Sequence, residues 1–334
     1  MPTTAGMRFG RHGEVAPGRR AAAGCAAGIA GSPSCARGRV TYDTIRRVAA
    51  EFDIELQSGR LHAKRYGPRD APLVLGVPGL TANLQGFEFL GERLATVGIQ
   101  FVALDLRGRG RSDVTEVGSY GWVKHAADLF AVADHLDAKQ FSLIGHSMGA
   151  AVAMAAAAQD PARLTRVVLV DMCGVPDPST AAPIGASVAR LGTVFPSVEA
   201  YLDLFRHSGI MEPWSEYWEG YFRYELQPVD GGVAARTSRA AVMEDVMFGA
   251  GACAFDDAAG VYGLWASLSM PVLLLRATRE MILGTGFILS KRDRDRFPVM
   301  VESATAVDID ANHYTIATSE AAASAIIRFL EPTH

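Results

Sequence analysis

Gly145-His146-Ser147-Met148-Gly149 is the stretch of this 334-residue chain whose residue types and spacing point most directly to chemistry. It follows the apolar run 141–144 and opens the Ala-rich helical pattern 148–158, the strand, turn and helix context in which G-x-S-x-G forms a nucleophile elbow. Such a turn lifts the hydroxyl of Ser147 clear of the chain, and Gly145 and Gly149 leave room where side chains would collide. A serine hydroxyl is a poor nucleophile at neutral pH, so a base must take its proton as it attacks. The chain offers eight histidines but no HExxH, and Cys25, Cys35, Cys173 and Cys253 are scattered without CxxC spacing. A zinc site or disulfide framework is therefore not expected, and neither a metal nor a cofactor is implied.

The elements that must position such a serine follow from periodicity. Residues 52–56 and 61–66 read as a hairpin, and short apolar runs at 73–77, 101–106, 141–144, 167–170, 272–275 and 304–309 read as strands. Helical patterns at 87–97, 120–136, 148–158 and 319–330 alternate with them. Strands that are apolar throughout and separated by helices imply a mostly parallel central sheet with helices on both faces, an α/β fold. The rhythm stops over residues 172–270, which carry helical patterns and most of the Trp and Tyr. That interruption is expected to be a helical cap over the C-terminal strand edge, where open α/β sheets bind ligands. The expected organisation is an extension at 1–45, a core at 46–173 and 269–334, and a cap (lid) at 174–268.

Further motifs agree with the elbow. Asp105-Leu106-Arg107-Gly108-Arg109-Gly110-Arg111-Ser112 resembles a post-strand D-x-R-G-x-G-x-S turn, and Asn312-His313-Tyr314 lies between the last strand and the terminal helix. With the elbow, these motifs make the chain from residue 50 onward similar to the α/β-hydrolases of the esterase and lipase type. The resemblance implies His313 as the base, in the chain order Ser, acid, His. Two carboxylates satisfy that order, and both stay open. Asp171 follows the strand after the elbow, and Glu280 follows the next one. One oxyanion donor would be the N–H of Met148, after the nucleophile. The resemblance places the second in the loop Pro78-Gly79-Leu80, at the N–H of Leu80; the family usually has His-Gly-x there.

Composition limits the partners. The chain is 49% hydrophobic with a net charge of −4 and no apolar run long enough to cross a membrane. The first 47 residues hold eight Arg against two acids, so the remainder is acidic and unsuited to nucleic acid. Residues 1–40 hold nine Ala and eight Gly and few large apolar side chains, which predicts disorder, with an export signal as the alternative to a cytoplasmic protein. Trp214, Tyr217, Trp218, Tyr221 and Phe222 recur at three- and four-residue intervals, and Trp214, Trp218 and Phe222 are the candidate pocket residues. The expectation is a cofactor-free serine hydrolase acting on a small to medium apolar or aromatic ester or lactone. Carbon–carbon bond hydrolysis or peracid formation on the same triad, and a non-catalytic binding protein, are the rivals.

Overall fold

The computed structural model describes residues 49–247 and 258–331; the expected extension at 1–45 lies outside them. Among the described residues ten strands form, β1 (Ala50–Leu56), β2 (Gly59–Tyr66), β3 (Leu73–Val77), β4 (Gln100–Leu104), β5 (Phe141–His146), β6 (Leu164–Val170), β7 (Leu226–Val229), β8 (Gly232–Ala235), β9 (Val272–Ala277) and β10 (Ala304–Ile309). Eight of them make one sheet in the order β1-β2-β4-β3-β5-β6-β9-β10. The β1–β2 and β2–β4 pairs are antiparallel and the remaining pairs are parallel.

Both faces of the sheet are buried, and the period of two along each strand explains the apolar runs. Leu73, Leu75 and Val77 of β3 enter one core while Val74 enters the other, and Val167 and Leu169 of β6 oppose Val168 and Val170 in the same way. The first core is closed by helices α2 (Trp122–His135) and α3 (Met148–Gln159), the second by α1 (Glu88–Thr96) and α10 (Glu320–Leu330). Ala150, Ala151, Ala153 and Ala155–157 let α3 lie close on β5, with almost no exposed surface along most of its length.

Between β6 and β9 the chain forms α4 (Ala181–Ala189), α5 (Val198–Arg206), α6 (Glu216–Glu225), the β7–β8 hairpin, α7 (Arg239–Met247) and α8 (Ala258–Gly263). The expected helical insertion thus also contains antiparallel strands. Their signal is Asp230-Gly231 between two short runs, a two-residue turn with Gly231 at φ 85°. The last part of the insertion does not stay above the sheet, because Val261, Trp265 and Leu268 pack into the first core beside α3. A further helix, α9 (Lys291–Met300), had no apolar periodicity to reveal it. It starts at Ser290, whose hydroxyl accepts from the Asp293 N–H at 3.0 Å. Among the described residues no helix is long and apolar enough to cross a membrane.

Candidate active site

The site is built where β5 ends. Ser147 has φ 56° and ψ −124°, a region that costs a non-glycine residue about 1–3 kcal/mol. The neighbouring chain enforces it. A Cβ on Gly145 would lie 2.2 Å from the Gly149 carbonyl oxygen, and one on Gly149 would lie 2.0 Å from the Val77 carbonyl oxygen. Only glycine fits at either place, and the Ser147 N–H is held by the Val170 carbonyl at 2.9 Å. Gly79, in the loop after β3, comes so near that its Cβ would stand 3.1 Å from the Ser147 Cβ.

One strand over, Asp171 also has a positive φ, 53°, and its N–H donates to the Leu275 carbonyl at 2.7 Å. That geometry turns its carboxylate toward the loop after β10. Oδ2 accepts from His313 Nδ1 at 2.8 Å and Oδ1 from the Ala277 N–H at 2.8 Å. Burial pushes the Asp171 carboxyl up from its ordinary value, against the lowering pull of His313, the Ala277 N–H and Arg276. With Nδ1–H donated to the carboxylate, the other ring nitrogen of His313 is an acceptor. Ser147 and His313 line the same cavity. Glu280, the other candidate acid, stays on its own loop. It is half-buried, accepts from the Gly284 N–H at 2.7 Å, and has no hydrogen bond to His313 among the described contacts.

Two residues that sequence reasoning passed over shape the histidine. The Asn312 side chain accepts from the N–H groups of Tyr314 and Thr315 at 3.0 and 2.8 Å, a local turn that fixes the backbone around His313. Its Nδ2 donates to the Ile210 carbonyl in the insertion at 2.8 Å. His146, inside the elbow, lines the cavity, stacks on the His313 ring with centroids 4.8 Å apart, and donates from Nε2 to the His313 carbonyl at 2.8 Å. Burial, with His313 adjacent, lowers it from 6.5 to about 3 and keeps it neutral.

The cavity above Ser147 has a volume of about 360 Å³ and lies between the core and the insertion. Gly79 and Leu80 contribute to its floor, while the Met148 N–H is the first of α3 and has no carbonyl a turn before it. Trp218, Tyr221 and Phe222 of α6 line the cavity, but Trp214 does not. Trp214 precedes the first turn of α6, so the helical spacing does not extend to it. It stacks behind Phe222, with ring planes 4° apart and centroids at 5.9 Å, under the guanidinium of Arg206. Tyr217 leaves the aromatic face as well, donating to Glu92 at 2.6 Å. Among the described residues the sole Lys or Arg in the lining is Arg190, whose NH1 donates to Tyr201 and to Glu225, both at 2.5 Å. Among the described residues no group of three His, Cys, Asp or Glu could hold a metal ion.

Comparison with known proteins agrees with this geometry. The model of the alpha/beta hydrolase fold family matches residues 72–318. N-formylmaleamate deformylase of Pseudomonas putida is 44% identical over 112 residues, 34% of this chain and 41% of that protein, so the chain spans about two fifths of this curated relative. 2-(Acetamidomethylene)succinate hydrolase of Mesorhizobium japonicum is 28% identical over 280 residues, 82% of this chain and 93% of that protein. A crystal structure of E-2-(acetamidomethylene)succinate hydrolase superposes with a TM-score of 0.70 at 24% identity, covering 85% of this chain and all of that one. With a family match over most of its length and a sheet, elbow and histidine loop in the family's order, the chain belongs to the alpha/beta hydrolase fold family.

Proposed function

We propose that the protein is a serine hydrolase that cleaves a small to medium apolar or aromatic carboxylic ester or lactone through an acyl-enzyme. The observation that carries this reading is the buried Asp171–His313 hydrogen bond beside Ser147 in one cavity. Ser147 Oγ attacks the acyl carbon as His313 Nε2 takes its proton, and Asp171 holds the ring in the Nδ1–H tautomer and balances the imidazolium. The oxyanion is received by the N–H groups of Met148 and Leu80, the former at the positive end of α3. His313 then protonates the leaving alcohol, and water repeats the sequence to release the acid.

Cavity size and lining support the substrate class. A volume near 360 Å³ lies at the lower end of small-molecule pockets. Its one cationic group is already neutralised by Glu225, which favours an uncharged substrate over a dicarboxylate. A second reading comes from the relatives, one named a deformylase of an N-formyl compound and the other a hydrolase of an acetamido compound. The same three groups can open an amide if the leaving nitrogen is protonated by His313.

The test sets p-nitrophenyl butyrate and an aryl ester beside an N-formyl amide and a ring-fission diketone, each with Ser147→Ala as control. Ester turnover lost on the order of a million-fold in the variant supports the proposal. Faster turnover of the amide or the diketone moves the assignment to that bond, and activity in Ser147→Ala within about tenfold of the wild type removes Ser147 from the chemistry.

A further inference from the structure

The turn Arg107-Gly108-Arg109-Gly110-Arg111 holds three arginines. Arg107 pairs with Asp128 and Arg111 with Glu51, as structural arginines do. Arg109 differs. It is fully buried, and its guanidinium reaches toward the site: Nε and NH2 donate to the Leu80 carbonyl at 3.1 and 3.0 Å, and NH1 to the Arg107 carbonyl at 3.1 Å. NH2 also donates to Asp245 on α7. The same Asp245 accepts from the Gly121 N–H at 2.6 Å and from His125 Nε2 at 3.0 Å. Helix α7 is seated on the turn by backbone as well, the Ser238 N–H meeting the Gly108 carbonyl at 2.8 Å.

The peptides around Leu80 are fixed on both sides. The Gly79 carbonyl is bound into a turn by the Ala82 N–H at 3.2 Å, and the Leu80 carbonyl is held by the Arg109 fork. In a trans peptide the N–H points opposite the carbonyl it shares a plane with, so the bound Gly79 carbonyl sets the direction of the Leu80 N–H, and the Arg109 fork on the Leu80 carbonyl holds the next peptide plane, clamping Leu80 between the two. Gly79 has no side chain to secure the loop by packing, because one would press on Ser147. The Leu80 side chain packs against two apolar clusters, and the guanidinium adds to that packing a directional hold on the backbone.

We propose that Arg109 is a positioning residue that holds the Leu80 N–H in place for the oxyanion, and that Asp245 makes this hold depend on the seating of α7. The proposal rests on the reading of Leu80 as an oxyanion donor. Asp245 neutralises the guanidinium, so the contribution is one of geometry rather than field. Lysine does not replace the fork, since a single ammonium lacks the planar, multiply donating shape that spans the Leu80 carbonyl and Asp245.

Three variants test it: Arg109→Lys, Arg109→Met, and the double variant Arg109→Met with Asp245→Leu, which leaves no unpaired buried charge and guards against simple unfolding. In the folded double variant kcat for p-nitrophenyl butyrate is expected to fall about thirtyfold with KM within about threefold, the signature of an interaction made in the transition state. Arg109→Lys keeps the charge pair and is expected to lose about tenfold in kcat at near-native melting temperature. Amide hydrogen exchange, read without any substrate, is expected to quicken by about tenfold or more over residues 78–82 and to stay unchanged over 145–149. Unchanged exchange at 78–82 overturns the positioning. Faster exchange with kcat kept within about threefold overturns the oxyanion role alone. A wild type without Ser147-dependent turnover defeats the hydrolase reading instead, and the exchange arm still decides whether Arg109 holds the loop.

Discussion

Among the described residues two buried aspartate–histidine pairs stand, and one of them faces the cavity. Asp171 meets His313 at 2.8 Å, and Asp245 meets His125 at 3.0 Å through both carboxylate oxygens. All four side chains are almost wholly removed from solvent. The difference lies in what else each carboxylate touches. Burial would raise the Asp245 carboxyl, yet Arg109, His125 and the Gly121 N–H together hold it well below the ordinary range. Asp171 has no guanidinium within hydrogen-bond reach, and burial wins there, pushing its carboxyl up. The charge of Asp245 is thus matched by a permanent cation, whereas under the proposed mechanism that of Asp171 would be matched by an imidazolium formed only during reaction. The far nitrogen of His125 is enclosed, while His313 lines the cavity. The proposed catalytic pair is the one whose carboxylate has no bonded guanidinium and whose imidazole has an open side.

Amide substitution of each carboxylate sharpens the contrast, beginning with the larger effect. Asp171→Asn should lower kcat by about four orders of magnitude, since the ring loses both tautomer control and its counter-charge. Its thermal midpoint should move little. Asp245→Asn should do the reverse in kind, costing about 3–5 kcal/mol in urea unfolding because Arg109 is left buried without its anion. If Asp245→Asn unfolds with the wild-type midpoint, the second pair is not the structural one.

His146 gives the first pair a neighbour that the second lacks, and pH reads it. Its folded value of about 3 lies below the 6.5 of the unfolded chain, so the unfolded state binds the extra proton between them. The stability it permits is complete above about pH 6.5 and is lost as pH falls toward 3, by at most about 1.4 kcal/mol per unit. His146→Gln, which can still donate to the His313 carbonyl, should flatten that part of a stability-against-pH curve. An unchanged slope would show that His146 is not held neutral. The smallest effect is expected from Glu280→Gln, with kcat within about threefold of the wild type, as for a loop carboxylate bonded to its own turn. A loss of a thousandfold there would break the pairing of His313 with Asp171.

Most of the fold was legible because fully buried strands write themselves as unbroken apolar runs and the elbow compresses strand, turn and helix into five residues. The place of His313, after the last strand and on the cavity that Ser147 lines, was legible from the chain order. The choice between Asp171 and Glu280 was not, because both follow a strand in the right order. What separates them is the positive φ of Asp171 and the register of β6 against β9, which are properties of the assembled sheet. Trp214 misled because spacing alone does not say where a helix begins. His146 and Asn312 were missed for a similar reason. One meets a partner 167 residues away, and the other acts through a turn whose value depends on what the loop carries.

The backbone of Ser147 carries a consequence of its own. Glycine would sit at φ 56°, ψ −124° with less strain, so selection for stability alone would move the chain away from serine at this position. A population of such chains released from any demand on turnover would drift toward glycine at 147 and gain melting temperature as it did so. Serine standing in a conformation that penalises it is thus an argument for use that owes nothing to motif or kinship, for the only thing the chain gains in exchange is a hydroxyl.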